Sequence, residues 1–246
     1  MRECSLGGLV LGLALLAKST GALLFPVLLA GFLVKGDKRP SLRHAAAAFA
    51  LAILIALPWL VRNQNLYGDP LAIGAFQQAS VGNLPYAEAV RNVGGVFQYW
   101  FSFVLILALQ GFWGVFGYYD IFLPSNLYWL LAVLGALTVV GFLLRFAKAE
   151  REERKYHWLA LALVICIGAG FVSYNLTYFQ AQGRYLYPAI FGIASIAGFG
   201  VWGLAGGNLQ KFRIIGGTWI GLLIALNLYV SFWLLIIAFR VIEECK

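Results

Sequence analysis

Five stretches of this chain carry no charged side chain and are each long enough to cross a bilayer as a helix: residues 45–61, 127–144, 158–174, 185–205 and 214–239. A helical span needs roughly 17–25 mostly apolar residues. Hydrocarbon offers no water to backbone N–H and C=O groups, so each stretch must satisfy its own hydrogen bonds as a helix. The other membrane solution, a closed barrel, needs segments of about 10 residues that alternate in polarity. Here the apolar residues come in blocks. The sequence therefore specifies an all-α, polytopic transmembrane helical bundle. Composition agrees: 62% of residues are hydrophobic and 11% charged, against about 45–50% and 25% in soluble domains.

A net charge of +8 raises the question of nucleic acid, but the cations gather between the apolar runs, as membrane orientation demands. Nucleic acid is therefore excluded as a partner, and membrane lipid is expected. Placing the loops after residues 34, 144 and 205 in the cytoplasm puts Lys35, Lys38, Arg39, Arg43, Arg145, Lys148, Arg151, Arg154, Lys155, Lys211 and Arg213 inside. The opposite face keeps Arg62, Arg91, Arg184, Arg240 and Lys246. This is the pattern of a multi-pass protein of the cytoplasmic membrane. The parity holds only if residues 93–117 do not cross. That segment holds Gln98, Tyr99, Trp100, Gln110 and Trp113, which suits an extracytoplasmic interfacial or re-entrant helix.

Residues 6–34 are too long for one straight span and short for two. Lys18-Ser19-Thr20 interrupts them, so two short helices with a break at Lys18 are expected. A signal peptide is the alternative, but no small-x-small cleavage site follows. Gly8/Gly12 and Gly217/Gly221 are GxxxG pairs, expected to mark close helix contacts. Cys4, Cys166 and Cys245 define neither a disulfide framework nor a metal spacing. His44 and His157 each border an apolar run and read as interfacial residues at helix ends. No cofactor is expected, and a divalent metal finds no ligand set in the sequence.

Chemistry is expected where the backbone is irregular. The long segment 62–126 and the bridge 178–188 both fall on the extracytoplasmic side. Arg184 lies in that bridge between two spans, where a guanidinium is costly unless it meets water, a partner or an anion. Gln182 and Gly183 beside it indicate a shaped loop. Arg62 borders residues 45–61, and Lys18 interrupts an apolar run. Lys18, Arg62, Gln182 and Arg184 are the candidate binding residues. Forked guanidinium donors suit a lipid-linked phosphate or pyrophosphate. The plainer readings are an interfacial anchor for either arginine and a snorkelling helix-end residue for Lys18.

Carboxylates that could serve as a base are few. Asp69, in Gly68-Asp69-Pro70, reads as a turn residue. Asp120 reads as a residue positioning the interfacial helix, and Glu88 is the other acid of that segment. Glu150, Glu152 and Glu153 read as a solvated face paired with neighbouring cations. Phosphate-loop, GxSxG, HExxH and zinc spacings are absent.

Four strings, in order, resemble the later part of the GT-C membrane glycosyltransferases, close to the dolichyl-phosphate-mannose mannosyltransferase-like group. They are Gly12–Thr20 followed by Pro26; Pro58-Trp59-Leu60-Val61-Arg62-Asn63 with Tyr67-Gly68-Asp69-Pro70-Leu71; Gly111–Asp120; and Gln182-Gly183-Arg184-Tyr185-Leu186-Tyr187-Pro188. The resemblance implies inverting transfer of a sugar from a polyprenyl-phosphate donor on the extracytoplasmic face. It also implies a catalytic acidic loop after the family's first transmembrane helix, and nothing before Lys18 corresponds to it. Residues 1–246 thus look like a single transmembrane domain forming the C-terminal half of such an enzyme. A separate N-terminal catalytic chain is then an expected partner, alongside the polyprenyl-phosphate sugar. No catalytic residue carries over. A non-catalytic subunit that binds a lipid-linked sugar, and a transporter, are the competing readings.

Overall fold

The computed structural model describes residues 2–34, 38–79, 83–234 and 236. The fold is all-α and polytopic. Five helical stretches are long and apolar enough to span a membrane: Leu42–Tyr67, Ser125–Lys148, Arg151–Asn175, Gly183–Leu204 and Leu209–Leu234. They overlap the five uncharged runs, beginning before each and, in the last two, ending at Leu204 and Leu234 within the run. The chain is an integral, multi-pass membrane protein. Its residues divide into two compact units, Met1–Val104 with Trp158–Gln180, and Leu105–His157 with Ala181–Lys246.

In the first unit, α1 (Arg2–Ala17) stops at Lys18, a 3-10 turn covers Ser19–Leu24, and α2 (Phe25–Val34) follows. The break at Lys18 is where the sequence placed it, with extended backbone (φ −161°, ψ 137°). The long α3 (Lys38–Tyr67) packs on α1. The contact is made of small residues on both sides. Ala45, Ala48, Ala52 and Ala56 recur every three or four residues and are buried. A Cβ added at Gly8 would stand 3.1 Å from the Ala48 Cα, and one added at Gly12 would stand 2.9 Å from the Ile55 Cβ. Backbones this close gain dispersion and Cα–H···O contacts that larger side chains would prevent. The GxxxG reading is thus correct for Gly8 and Gly12. Gly8 meets Ala48 and Gly12 meets Ala52, a step of the same size and direction, so α1 and α3 run parallel.

Beyond α3 come two short helices, α4 (Ile73–Ala79) and α5 (Tyr86–Asn92), then a π-helical turn over Gln98–Val104. After α8 (Arg151–Asn175) the chain turns back on this region. The Tyr86 N–H donates to the Thr177 carbonyl at 3.1 Å and the Phe179 N–H to the Leu84 carbonyl at 2.8 Å.

In the second unit, α6 (Leu105–Trp113) leads into a hairpin of β1 (Val115–Phe116) and β2 (Ile121–Phe122), and then into α7 (Ser125–Lys148). Residues 93–117 therefore hold a helical run that is interrupted by the π turn and ends at Trp113, and it is not one of the five spans. A 3-10 segment (Gly183–Ala189) opens α9 (Ile190–Leu204), and α10 (Leu209–Tyr229) closes the described bundle. Here α7 packs on α9 through Thr138, Gly141, Gly200 and Gly203, and Cβ atoms added at the three glycines would strike opposing backbone. The second GxxxG pair behaves differently: Gly217 and Gly221 have nothing within 4 Å of an added Cβ. Their closeness to another helix is not realised within the described residues.

Candidate functional site: a fixed loop carrying Arg184

The most sharply built polar feature is the loop before α9. Two glycines let its backbone touch α6. An added Cβ at Gly183 would overlap the Phe112 nitrogen and the Ala108 carbonyl oxygen, and one at Gly111 would lie 2.9 Å from the Gly183 nitrogen. No side chain can stand between these two backbones. The Tyr119 hydroxyl bridges them, 2.9 Å from the Leu107 carbonyl and 3.2 Å from the Ala181 carbonyl. Burial pushes this hydroxyl above its ordinary pKa, opposed by the Gly183 backbone and by the nearby Arg184 charge. Tyr119 itself sits at positive φ (74°) in the β1–β2 turn, beside Gly117 (φ 64°). On the far side of the loop the Tyr187 hydroxyl donates to the Phe112 carbonyl at 3.2 Å.

Arg184 projects from this mount. Its side chain is exposed, with the guanidinium carbon 5.8 Å from the Tyr185 ring centroid. Among the described residues no carboxylate pairs with it. Gln182 is half-buried, and its Oε1 is buried without a hydrogen-bond donor among the described residues. A cation and an unanswered amide thus sit two residues apart on a rigid loop.

Lys18 and Arg62 belong to the first unit. The parallel register of α1 and α3 puts Lys18 at the end of that unit where α3 finishes, the same end as Arg62. Both side chains are exposed. Among the described residues the Arg62 Nη1 makes one long contact, 3.5 Å, to the Asn63 Oδ1. Asn63 is buried and donates through Nδ2 to the Pro70 carbonyl at 3.1 Å, fastening the turn after α3.

Asp69 has a structural task. Its Oδ1 accepts from the Leu71 N–H at 3.0 Å, and its Oδ2 from the Ile73 and Gly74 N–H groups at 2.6 and 3.1 Å. These bonds, Gly74 and Leu71 foremost, hold its carboxyl below the usual range. It caps α4, a more specific task than the turn residue that its Gly-Asp-Pro setting indicated. Asp120 folds its carboxylate over Gly117 in the hairpin turn. Glu88 is exposed in the first turn of α5.

His157 departs from expectation. It stands near a helix end, but it is fully buried, walled by phenylalanines rather than placed at an interface. Sequence reasoning also missed the amide knot of the first unit. Asn175 is fully buried; its Oδ1 accepts from the Gln180 N–H at 3.0 Å and its carbonyl from the Tyr99 hydroxyl at 2.8 Å. Gln180 Nε2 donates to Asn83 Oδ1 at 3.1 Å. The available signal was an asparagine at the end of an apolar run facing a loop rich in amides.

No family model matches the chain, and no curated protein or solved structure matches it at a significant level.

Proposed function

We propose that this protein binds a polyprenyl-phosphate-linked sugar on the extracytoplasmic face of the cytoplasmic membrane and serves its transfer, as a glycosyltransferase or part of one. The observation that supports this reading is Arg184: an exposed guanidinium without a carboxylate partner among the described residues, held on a loop that two glycines and Tyr119 fix against α6. A fixed forked donor beside membrane spans suits an anionic headgroup whose tail lies in the bilayer. Beside Arg184, Gln182 supplies an amide whose buried oxygen suits a sugar hydroxyl.

One observation favours the non-catalytic form of this reading. Asp69, the acid nearest Arg62 in sequence, already spends both oxygens on backbone N–H groups. The binding test is native mass spectrometry of the full chain with a polyprenyl-phosphate hexose and with the same polyprenol lacking phosphate. The phosphorylated lipid should be retained preferentially. Arg184→Ala should lower retention roughly 10–100-fold, the equivalent of losing a charge-assisted hydrogen bond of about 1.5–3 kcal/mol. Equal retention by wild type and variant would remove Arg184 from the site.

A further inference from the structure

At the junction of α7 and α8, Arg145 in the last turn of α7 forks onto Glu153 in the first turn and a half of α8. Its Nε donates to Oε1 at 2.6 Å and its Nη2 to Oε2. One turn further along α8 lies His157, with no exposed surface. Its Nε2 is 3.9 Å from the Glu153 Oε1, too far for a hydrogen bond. Neither ring nitrogen has a hydrogen-bond partner among the described residues. The imidazole is enclosed by Phe142 and Phe146 of α7 and Phe199 of α9, with ring centroids at 5.4, 5.8 and 4.1 Å.

A neutral imidazole always carries one N–H. Burying that donor unanswered is a penalty that a phenylalanine or leucine at the same place would avoid. The carboxylate within 4 Å of the ring is that of Glu153, now held by Arg145. The other charge facing the cluster is Arg154 of α8. Its guanidinium lies over the Phe146 ring at 5.7 Å, and its Nη2 donates to the Ala149 carbonyl at 2.9 Å. Along α9, residues Ile190–Leu204 contain no titratable side chain. Two groups therefore compete, Arg145 and His157, for the one carboxylate of Glu153. The aromatic faces also tolerate a cation. A route for protons exists at the rim, because the Arg145 and Glu153 side chains keep 30% and 24% of their surface exposed.

We propose that His157 is a proton-operated latch at this junction: an imidazolium closes the 3.9 Å gap to Glu153, draws that carboxylate off the fork and releases the Arg145 guanidinium. The proton comes from water onto the free ring nitrogen, and no other covalent bond changes. In the state described here the latch is open, with the carboxylate on the arginine.

The chain has two histidines, so His44→Gln leaves His157 as the single imidazole. The experiment places the full His44→Gln chain in lipid nanodiscs with nitrogen-15 in histidine and arginine. The imidazole nitrogens and the Arg145 Nε signal, identified by its loss in Arg145→Lys, are followed from about pH 4 to 8, where histidine charge changes fall. Both signals should move with one midpoint. In Glu153→Gln the imidazole transition should no longer move Arg145. In His157→Phe, which suits the aromatic wall, the Arg145 signal should stay constant across the range. An imidazole that does not titrate there overturns the latch. So does one that titrates while Arg145 stays still, or an Arg145 signal that still titrates in His157→Phe.

Discussion

Replacing Gly183 by alanine tests the mount that carries Arg184. The added methyl would stand 2.5 Å from the Gly111 carbonyl carbon and closer still to the Phe112 nitrogen and the Ala108 oxygen. Ordinary carbon contacts lie at about 3.5–4.0 Å, so the loop or α6 must retreat by on the order of 1 Å. All three obstructing atoms are backbone, and no flexible side chain can yield. Overpacking of this kind costs about 1–3 kcal/mol. Losing the Tyr119 bond to Ala181 adds about 0.5–1.5 kcal/mol. A total of about 2–4 kcal/mol corresponds to a fall in Tm of roughly 4–16 °C for a chain of this size. The assay is thermal unfolding of the full chain in detergent, read by a thiol-reactive dye at the free Cys166. The control is Gly217→Ala, where nothing lies within 4 Å. There alanine's better helix propensity should hold or raise Tm. If Gly183→Ala melts with the wild type, or the control falls as far, the close approach of the loop to α6 does not exist.

Other expectations follow from the first unit. Tyr99 is fully buried, and burial first, Tyr86 second, pushes its hydroxyl up to about 12. Its folded pKa exceeds the unfolded value of about 10, so the stability it contributes is complete below pH 10 and is lost as pH rises towards 12. Ultraviolet titration should show a tyrosine ionising near pH 12 that disappears in Tyr99→Phe; that variant should also lose about 1 kcal/mol, having left the Asn175 carbonyl without its donor. For Asp69 the sign is opposite. Its pKa is depressed in the folded chain, so its capping contribution is present above the unfolded value and lost as pH falls through the folded one. Proteolytic cutting in residues 68–79 should rise at acid pH, and Asp69→Asn should show the raised level already at neutral pH. An Asp69→Asn chain that resists cutting but no longer supports sugar transfer would contradict the capping role.

The spans were legible because hydrocarbon leaves the backbone a single local solution, so an uncharged run of sufficient length reads directly as a helix. Lys18 was legible for the same reason, since a lysine in such a run has to mark an end. The Gly8/Gly12 contact was readable, yet Gly217/Gly221 has the same spacing and no neighbour. The difference lies in the opposing helix, where Ala45, Ala48, Ala52 and Ala56 present an equally flat face. Gly141, Gly200 and Gly203 fit together through a face shared by two helices distant in sequence, and no single-helix pattern reports that. His157 shows the limit most clearly. Its place before an apolar run suggests an interface, whereas its surroundings depend on Phe142, Phe146 and Phe199 from two other helices.

The same physics explains why the mount beneath Arg184 matters to the functional reading. A long cationic side chain on a mobile backbone must be ordered twice before it grips a ligand, once at the backbone and once at its rotamers. Gly183 and Gly111 remove the first of these losses, and they do so by having no volume rather than by adopting unusual φ values, since neither lies at positive φ. Tyr119 completes the mount with two carbonyl contacts that a phenylalanine could not make. What remains to be ordered is the guanidinium itself, whose planar fork loses less freedom per hydrogen bond than an ammonium does. Arg184→Lys should therefore bind a phosphate-bearing lipid measurably less well than arginine, although charge is conserved. An equal affinity would mean that the site reads charge alone and that the rigidity of the loop serves only the packing of α6 against the start of α9.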